Sequence, residues 1–574
     1  MASPLWRLRQ ASPVSQSPLL GRRYSTREQV DFVVVGSGAA GGVMARQLAQ
    51  AGFTVVVLEQ GPYLTERDFR HDEHASYFQA ALTNDHRLQP NTYRASASAR
   101  AVRQPAVSYG RVVGGGTTHF TGNYWRFHEI DFVERSRRGG VPGAAVADWP
   151  VGYSELEPYY TKVEWEIGVS GLAGAGPFDP PRSKPYPLPP LPPKSTGVLL
   201  ERAAKKMGWT AFPAPTAILS RPYRGRAACI HCEFCEGYGC EIRAKSSTLV
   251  TMIPEAVATG RCEIRPLCYV NRVETDGRGR VTGVRYFDRE RREQTQLAKA
   301  VILSANGAET PRLLLMSASG RFPQGLANSS GWVGKCLMFN GLGLSIGLFP
   351  GRINGYKGNV VSRIVHDTYQ LDPKLGLWGG GGFDFRADFG PISFAAAALP
   401  PDAPRWGSAF KAMIAEYFTR TVLAMGHSTS LPVESNSISL DPELKDDWGL
   451  PAIRVTFKEH PNDLALYRYF TDRGNELLDA AGATKRWELP FTEELTASQP
   501  HLLGTCRMGR DPRTSVVDAD HRAHDVPNLF LVDGSSFVTS GRGQPTMTIQ
   551  ALAFRAADRI TELARRGDLG SRGS

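Results

Sequence analysis

Val30-Asp31-Phe32-Val33-Val34-Val35-Gly36-Ser37-Gly38-Ala39-Ala40-Gly41 is the stretch that decides the fold. Gln29–Val35 is a short apolar strand, and Ala39–Gln50 reads as a helix. Thr54–Leu58 reads as a second strand, closed by Glu59. In such a turn Gly36 and Gly38 permit close backbone approach to a diphosphate, and Gly41 lets the helix pack on the strand. The helix N-terminus supplies N–H donors and a dipole that suits that diphosphate. Glu59 follows Gly36 by 23 residues. A carboxylate there can accept ribose hydroxyl hydrogen bonds and disfavours a 2′-phosphate. The pattern predicts a dinucleotide site without separating FAD from NAD.

Outward from that turn, the 574 residues exceed one small domain. A hydrophobic content of 41% and a charged content of 21% are those of a globular chain, and 59 Gly with 40 Pro predict many loops. The net charge of +11 is compatible with an acidic redox partner. With neither a concentrated Lys/Arg stripe nor a recognition motif, no nucleic-acid binding is expected. No run reaches the ~18 apolar residues of a membrane span. The first 27 residues hold five arginines and no acid, and Arg22-Arg23-Tyr24-Ser25 resembles a mitochondrial processing site. A disordered extension over residues 1–28 is the preferred reading and a transit peptide the alternative.

A Gly/Ser/Thr-rich stretch follows at 109–123, and a helix is expected near Ser154–Gly168. Residues 171–194, rich in Pro and Gly, read as a crossing between lobes. Cys262–Val270, Val281–Phe287 and Lys299–Leu303 read as strands, the last running into a turn before a helix near Thr310. Ser437–Asp441 and Ala452–Phe457 read as strands of a further sheet. Leu529–Arg559 repeats the strand–helix pattern of the nucleotide half. The expected class is α/β, α+β overall: a discontinuous Rossmann-like domain (29–150, 256–344, 501–565) around a substrate domain with a mixed or antiparallel sheet covered by helices (151–255, 345–500).

The end of the chain carries an ordered set: His501-Leu502-Leu503-Gly504-Thr505-Cys506-Arg507-Met508-Gly509, then Asp533-Gly534 after an apolar strand, then Gln544-Pro545-Thr546 before an Ala-rich helix. With Gly110-Arg111-Val112-Val113-Gly114-Gly115-Gly116-Thr117-Thr118 and Ala305-Asn306-Gly307-Ala308, these segments resemble the glucose–methanol–choline (GMC) oxidoreductases. The resemblance covers residues 30 to 563. It implies FAD, an FAD domain plus a substrate domain, and oxidation of an alcohol. It also implies flavin contacts at Gly36, Gly38, Gly41, Glu59, Arg111, Gly115, Thr117, His119, Val270, Ala305, Asp533, Gly534, Pro545 and Thr546.

By the same resemblance, His501 takes the alcohol proton while hydride leaves for flavin N5. An imidazole suits this because its pKa lies near operating pH. The second family position, usually His or Asn, holds Gln544. Its amide cannot act as a base but can donate to a developing alkoxide. The segment Val113–Phe120 with Arg126-Phe127 is most similar to the pyranose-oxidase branch. There a histidine at the position of His119 can bond covalently to the flavin; the plainer alternative is a hydrogen bond. Trp125 and Trp149 stay unassigned, since most tryptophans are core.

Cys229-x2-Cys232-x2-Cys235-x4-Cys240 sets four thiols within twelve residues. An iron–sulfur cluster, structural zinc, disulfides and free thiols all remain open. Arg221–Arg226 and Ala244-Lys245 beside it resemble the multi-subunit sugar and gluconate dehydrogenases, implying a small subunit and a cytochrome or quinone acceptor. The expected activity is a dehydrogenase acting on a sugar, glycoside or polyol; an O2-using oxidase and a non-redox lyase are the alternatives. A soluble cytoplasmic protein is the default, with mitochondrial import or periplasmic co-export as alternatives.

Overall fold

Val30–Val35 pairs in parallel with Val55–Glu59 on one side and with Glu293–Leu303 on the other. These are the central strands of a seven-stranded sheet in a computed structural model that describes residues 20–387 and 389–569. Cys262–Pro266 extends one edge in parallel, and Leu529–Leu531 adds a strand on Glu293–Leu303. Val281–Phe287 and Tyr269–Thr275 complete the sheet as antiparallel strands. Strands from three separated parts of the chain therefore meet in one nucleotide-type sheet. The helices Ala39–Gln50, Tyr153–Ile167 and Thr546–Arg565 pack together against it. Val55–Glu59 is buried throughout, Val30–Val35 at every residue but Asp31, and Glu293–Leu303 over its last four residues, as a parallel sheet covered on both faces requires.

A second sheet of six strands runs in the order Lys485–Glu488, Gly341–Leu348, Thr421–Ser428, Gly381–Arg386, Arg363–Val365, Ala211–Pro213, all antiparallel. Alternation along a strand sends successive side chains to opposite faces. Phe383, Phe385, Val422 and Ala424 meet Leu466, Phe470 and Leu477 of the helix Pro461–Ala481 in one apolar cluster. On the opposite face Ile346, Leu423 and Trp487 pack with Phe394 and Ala398, and Leu342, Arg386, Met425 and His427 line the cavity described below. A third sheet joins Ser437–Lys445 and Pro451–Thr456 to Asn91–Arg94 and Val102–Arg103. The chain is thus a mixed α/β protein with a Rossmann-like sheet and separate mixed and antiparallel sheets.

The expected extension at residues 1–28 divides in two. Residues 1–19 lie outside the described residues. Residues 20–28 are packed on the structure rather than detached from it, because Gly21 bridges Glu263, the Tyr24 N–H donates to Glu263 Oε2 at 2.8 Å, and Leu20 and Tyr24 are buried. The resemblance to a processing site falls on that packed segment. Among the described residues no helix is long and apolar enough to cross a membrane.

Candidate active site

The fingerprint turn has the shape its glycines predict. Gly36 adopts φ +92°, and a Cβ there would lie 2.4 Å from the Ser304 carbonyl oxygen. The helix Ala39–Gln50 begins with no side-chain cap and no acid in its first turn, so its N–H groups face no competing anion of their own. Glu59 is buried; its Oε2 accepts from the Ser37 N–H at 3.1 Å and the Ser37 hydroxyl at 2.7 Å, and its Oε1 accepts from the Gly61 N–H at 2.9 Å. A carboxylate has about four acceptor positions, so one stays open on Oε1. The Ser37 hydroxyl in turn accepts from Gly114 N–H at 3.0 Å, tying the fingerprint to the second glycine loop.

A cavity of about 660 Å³ runs from this turn past both glycine loops to the end of the chain. Gly36, Gly38, Glu59, Gly115, Thr117, His119, Val270, Ala305, His501, Asp533, Gly534, Gln544, Pro545 and Thr546 all line it. Residues 500 positions apart in sequence thus meet in one space. Gly41 lies behind the wall, where a Cβ would fall 2.0 Å from the Gly36 carbonyl oxygen, in keeping with its packing role.

Arg111 does not line this cavity. Its guanidinium lies over the Trp448 ring at 5.3 Å, and its backbone N–H donates to the Leu82 carbonyl at 2.8 Å. The cation thus rests on an aromatic face.

Asp533 organises the end of the site. Its Oδ2 accepts from the Asn306 N–H at 3.0 Å and the Thr310 hydroxyl at 2.6 Å, and its Oδ1 accepts from the Ser535 N–H at 2.8 Å. The start of the helix Asn306–Met316 and the turn after Asp533 are thereby fixed around one carboxylate. His501 adopts φ +55°, a left-handed conformation that costs a non-glycine residue free energy and turns the ring into the cavity wall. Burial, then the neighbouring His427 and Arg386, pushes its pKa down to about 4. The imidazole is therefore neutral at pH 7 and able to accept a proton. Gln544 is buried and lines the same cavity.

His119 follows the short turn Gly115–Thr118 and is half-buried, its Nε2 buried and unpartnered among the described residues. Burial, then the Lys245 charge, pushes its pKa down to about 4, leaving a neutral nitrogen lone pair at the cavity. The residues present fit a flavin dinucleotide: a diphosphate turn, a ribose acceptor, and a neutral imidazole at the other end of one continuous cavity.

The cysteine loop is attached to this wall. The Gly237 N–H donates to the His119 carbonyl at 2.8 Å, and Lys245 Nζ donates to the carbonyls of Phe120, Cys235 and Tyr238. The four thiols do not make a metal site as placed. Among the described residues no group of three or more His, Cys, Asp or Glu can hold a metal ion, and Cys229, Cys232, Cys235 and Cys240 are free cysteines. Cys235 is buried in an apolar cluster with Phe212 and Ile218, which pushes its thiol up to about 12 and keeps it neutral. This donor set fits neither zinc nor an iron–sulfur cluster as arranged.

Three polar residues of the wall escape a reading of the sequence: Asp384, Arg386 and His427. They lie on the second sheet, where Arg386 and His427 reach the cavity beside Leu342 and Met425. Trp125 backs His427, with ring centroids 5.9 Å apart.

A Rossmann-like site that continues into a cavity lined by a half-buried, neutral histidine defines a flavoprotein oxidoreductase of two functional halves. The chain belongs to the GMC oxidoreductase family: the N-terminal family model matches residues 30–340 and the C-terminal one residues 432–553. It is an FAD-dependent oxidoreductase acting on CH–OH groups. It is similar to 2-methyl-1,2-propanediol dehydrogenase of Mycolicibacterium austroafricanum, 35% identical over 94% of this chain and 96% of the relative. It is 30% identical to the fructose dehydrogenase large subunit of Gluconobacter japonicus, over 94% of this chain and 98% of that one. The fold matches pyridoxine 4-oxidase from Mesorbium loti with a TM-score of 0.62 at 18% identity, covering 93% of this chain and 99% of that one.

Proposed function

We propose that the protein oxidises a hydroxyl-bearing carbon of a sugar, glycoside or polyol and hands the electrons to an external acceptor. The observation that carries this reading is the neutral imidazole of His501, in one cavity with Gln544 and the dinucleotide turn. FAD, when bound, would supply the two-electron, hydride-accepting chemistry. Gly36, Gly38 and the helix N-terminus hold its diphosphate, and Glu59 its ribose. His501 takes the hydroxyl proton, for which a neutral ring with a depressed pKa is the competent form. Gln544 donates its amide N–H to the oxygen as negative charge grows there. Asp533 holds the backbone around both by its three hydrogen bonds. An external acceptor is supported by the chain's likeness to a protein named as the large subunit of a fructose dehydrogenase.

Anaerobic addition of an alcohol and sugar panel to the holoenzyme tests the reading. A substrate bleaches the flavin band under argon if it is right. A flavin that stays oxidised with every alcohol, while a histidine-dependent elimination proceeds, would favour the lyase alternative. His119 is the proposed point of covalent attachment, supported by its unpartnered Nε2. Flavin should stay with acid-precipitated wild type and leave the His119→Ala variant; free flavin in the wild-type supernatant rejects the bond.

A further inference from the structure

One wall of the cavity is a sheet face with an unusual content. Along Gly381–Arg386, Phe383 and Phe385 point to the helices, and Asp384 and Arg386 to the other side. Asp384 Oδ1 accepts from Arg386 Nε at 2.7 Å, and its Oδ2 accepts from Arg386 Nη2 at 2.6 Å. The same Oδ2 lies 2.7 Å from His427 Nε2, on the neighbouring strand. Exposures are 0% for Asp384, 3% for Arg386 and 4% for His427. An apolar face would cover this position at less cost, because desolvating charges opposes folding. Arg386 and His427 line the same cavity as His501 and are the neighbours that act on it, so the cluster and the base share the working end of the cavity.

We propose that the Asp384–Arg386–His427 cluster binds a second hydroxyl of the substrate, making diols and polyols the preferred substrates over monoalcohols and hydroxy acids. The inference rests on the alcohol-oxidation reading above and specifies its substrate class. Charge decides between a hydroxyl and a carboxylate. The Arg386 cation meets Asp384 and, at 3.7 Å, Glu236 of the cysteine loop. Two carboxylates already match it, so an incoming anion finds no surplus positive charge. A neutral hydroxyl is both donor and acceptor and can serve either sign of partner. Within the cluster His427 Nδ1 is buried with no hydrogen-bond partner among the described residues, and a site that hydrogen-bonds a substrate hydroxyl discriminates strongly against the analogue that lacks it.

The test is anaerobic stopped-flow reduction of the holoenzyme by 1,2-propanediol, glycerol, 1-propanol and lactate, read as kred/Kd. The better diol or triol should exceed 1-propanol by at least about 100-fold, with lactate no better than 1-propanol. Arg386→Met and His427→Asn should cut that ratio to below about tenfold. Only variants with the wild-type flavin content are compared, and His427→Asn removes no fixed charge if Arg386→Met fails to fold. Equal reduction by diol and monoalcohol, a preference for lactate, or an unchanged ratio in the variants overturns the inference alone. Failure of all four compounds and of every sugar to reduce the flavin overturns the oxidoreductase reading on which it rests.

Discussion

Gly38 and Gly115 face each other across the diphosphate turn, close enough that a Cβ on Gly115 would lie 2.7 Å from the Gly38 Cα. The converse is looser: a Cβ on Gly38 would sit 3.8 Å from the Gly115 Cα, an ordinary contact. The asymmetry separates folding from binding. Gly115 also needs φ +53°, so Gly115→Ala strains the backbone and collides with it. Gly38→Ala meets no crowding from the protein. Gly38→Ala should therefore fold with the stability of wild-type apoprotein yet bind FAD at least about tenfold more weakly, a change of about 1.4 kcal/mol. Flavin titration and thermal unfolding of the apoproteins check both halves; normal FAD affinity in Gly38→Ala would remove this glycine from the diphosphate site.

Local signals were the legible ones. Ala39–Gln50 forms with the limits its glycine entry and apolar spacing predict, because both signals lie within the helix. Cys262–Val270 reads as one strand but breaks at Leu267, which turns to φ +59°. The cause is distant in sequence: the amides of Leu267 and Cys268 donate to the carbonyls of Gly61 and Glu59. His501 and Gln544 were found because motif residues surround them. Asp384 and Arg386 were not, since a strand alternating Phe with charge reads as half solvent-exposed. Only the closure of two sheets over one cavity makes that face an interior wall. The cysteine spacing alone left a cluster, zinc, disulfides and free thiols open; in the fold no three ligand side chains converge there among the described residues.

The depressed pKa of His501 sets the pH dependence of reduction. The base form is present above about 4 and is lost as pH falls through that value. Flavin reduction by substrate should thus be flat between about pH 5.5 and 8, where an ordinary histidine would give an acid limb near 6.5. Arg386 is one of the charges that lower it, so Arg386→Met should move the limb upward. Stopped-flow reduction across this range decides it; a limb near 6.5 in wild type would mean that His501 is solvated or is not the base.

Removing the base and removing the donor should differ in size. His501→Ala is expected to slow reduction by about 100- to 10,000-fold with FAD still bound. Gln544→Leu removes one N–H aimed at the developing oxyanion and should cost about 100-fold or more. Gln544→Asn keeps the amide on a shorter stem and should recover part of that loss. Equal rates for Gln544→Leu and wild type would show the amide to be turned away from the substrate oxygen.

Two residues before Gln544, Arg542 is fully buried between Asp131 and Glu134 and lies over the Tyr369 ring at 5.3 Å. The Tyr369 hydroxyl donates to Asp131 Oδ2 at 2.5 Å, so one cation holds two acids and an aromatic residue beneath the loop that presents the amide. Burial, offset by Arg542, raises the pKa of Glu134, and losing the guanidinium would raise it further. Arg542→Met should therefore cost about 3–5 kcal/mol, because it strands two carboxylates in the interior. The raised Glu134 pKa fixes the sign of the pH effect: the folded variant takes up a proton that the unfolded chain releases, so its stability should fall as pH rises from about 5 to 8. Holoenzyme melting temperatures across that range check this. A variant that melts like wild type, with the same pH slope, would show the acids to be held by other groups.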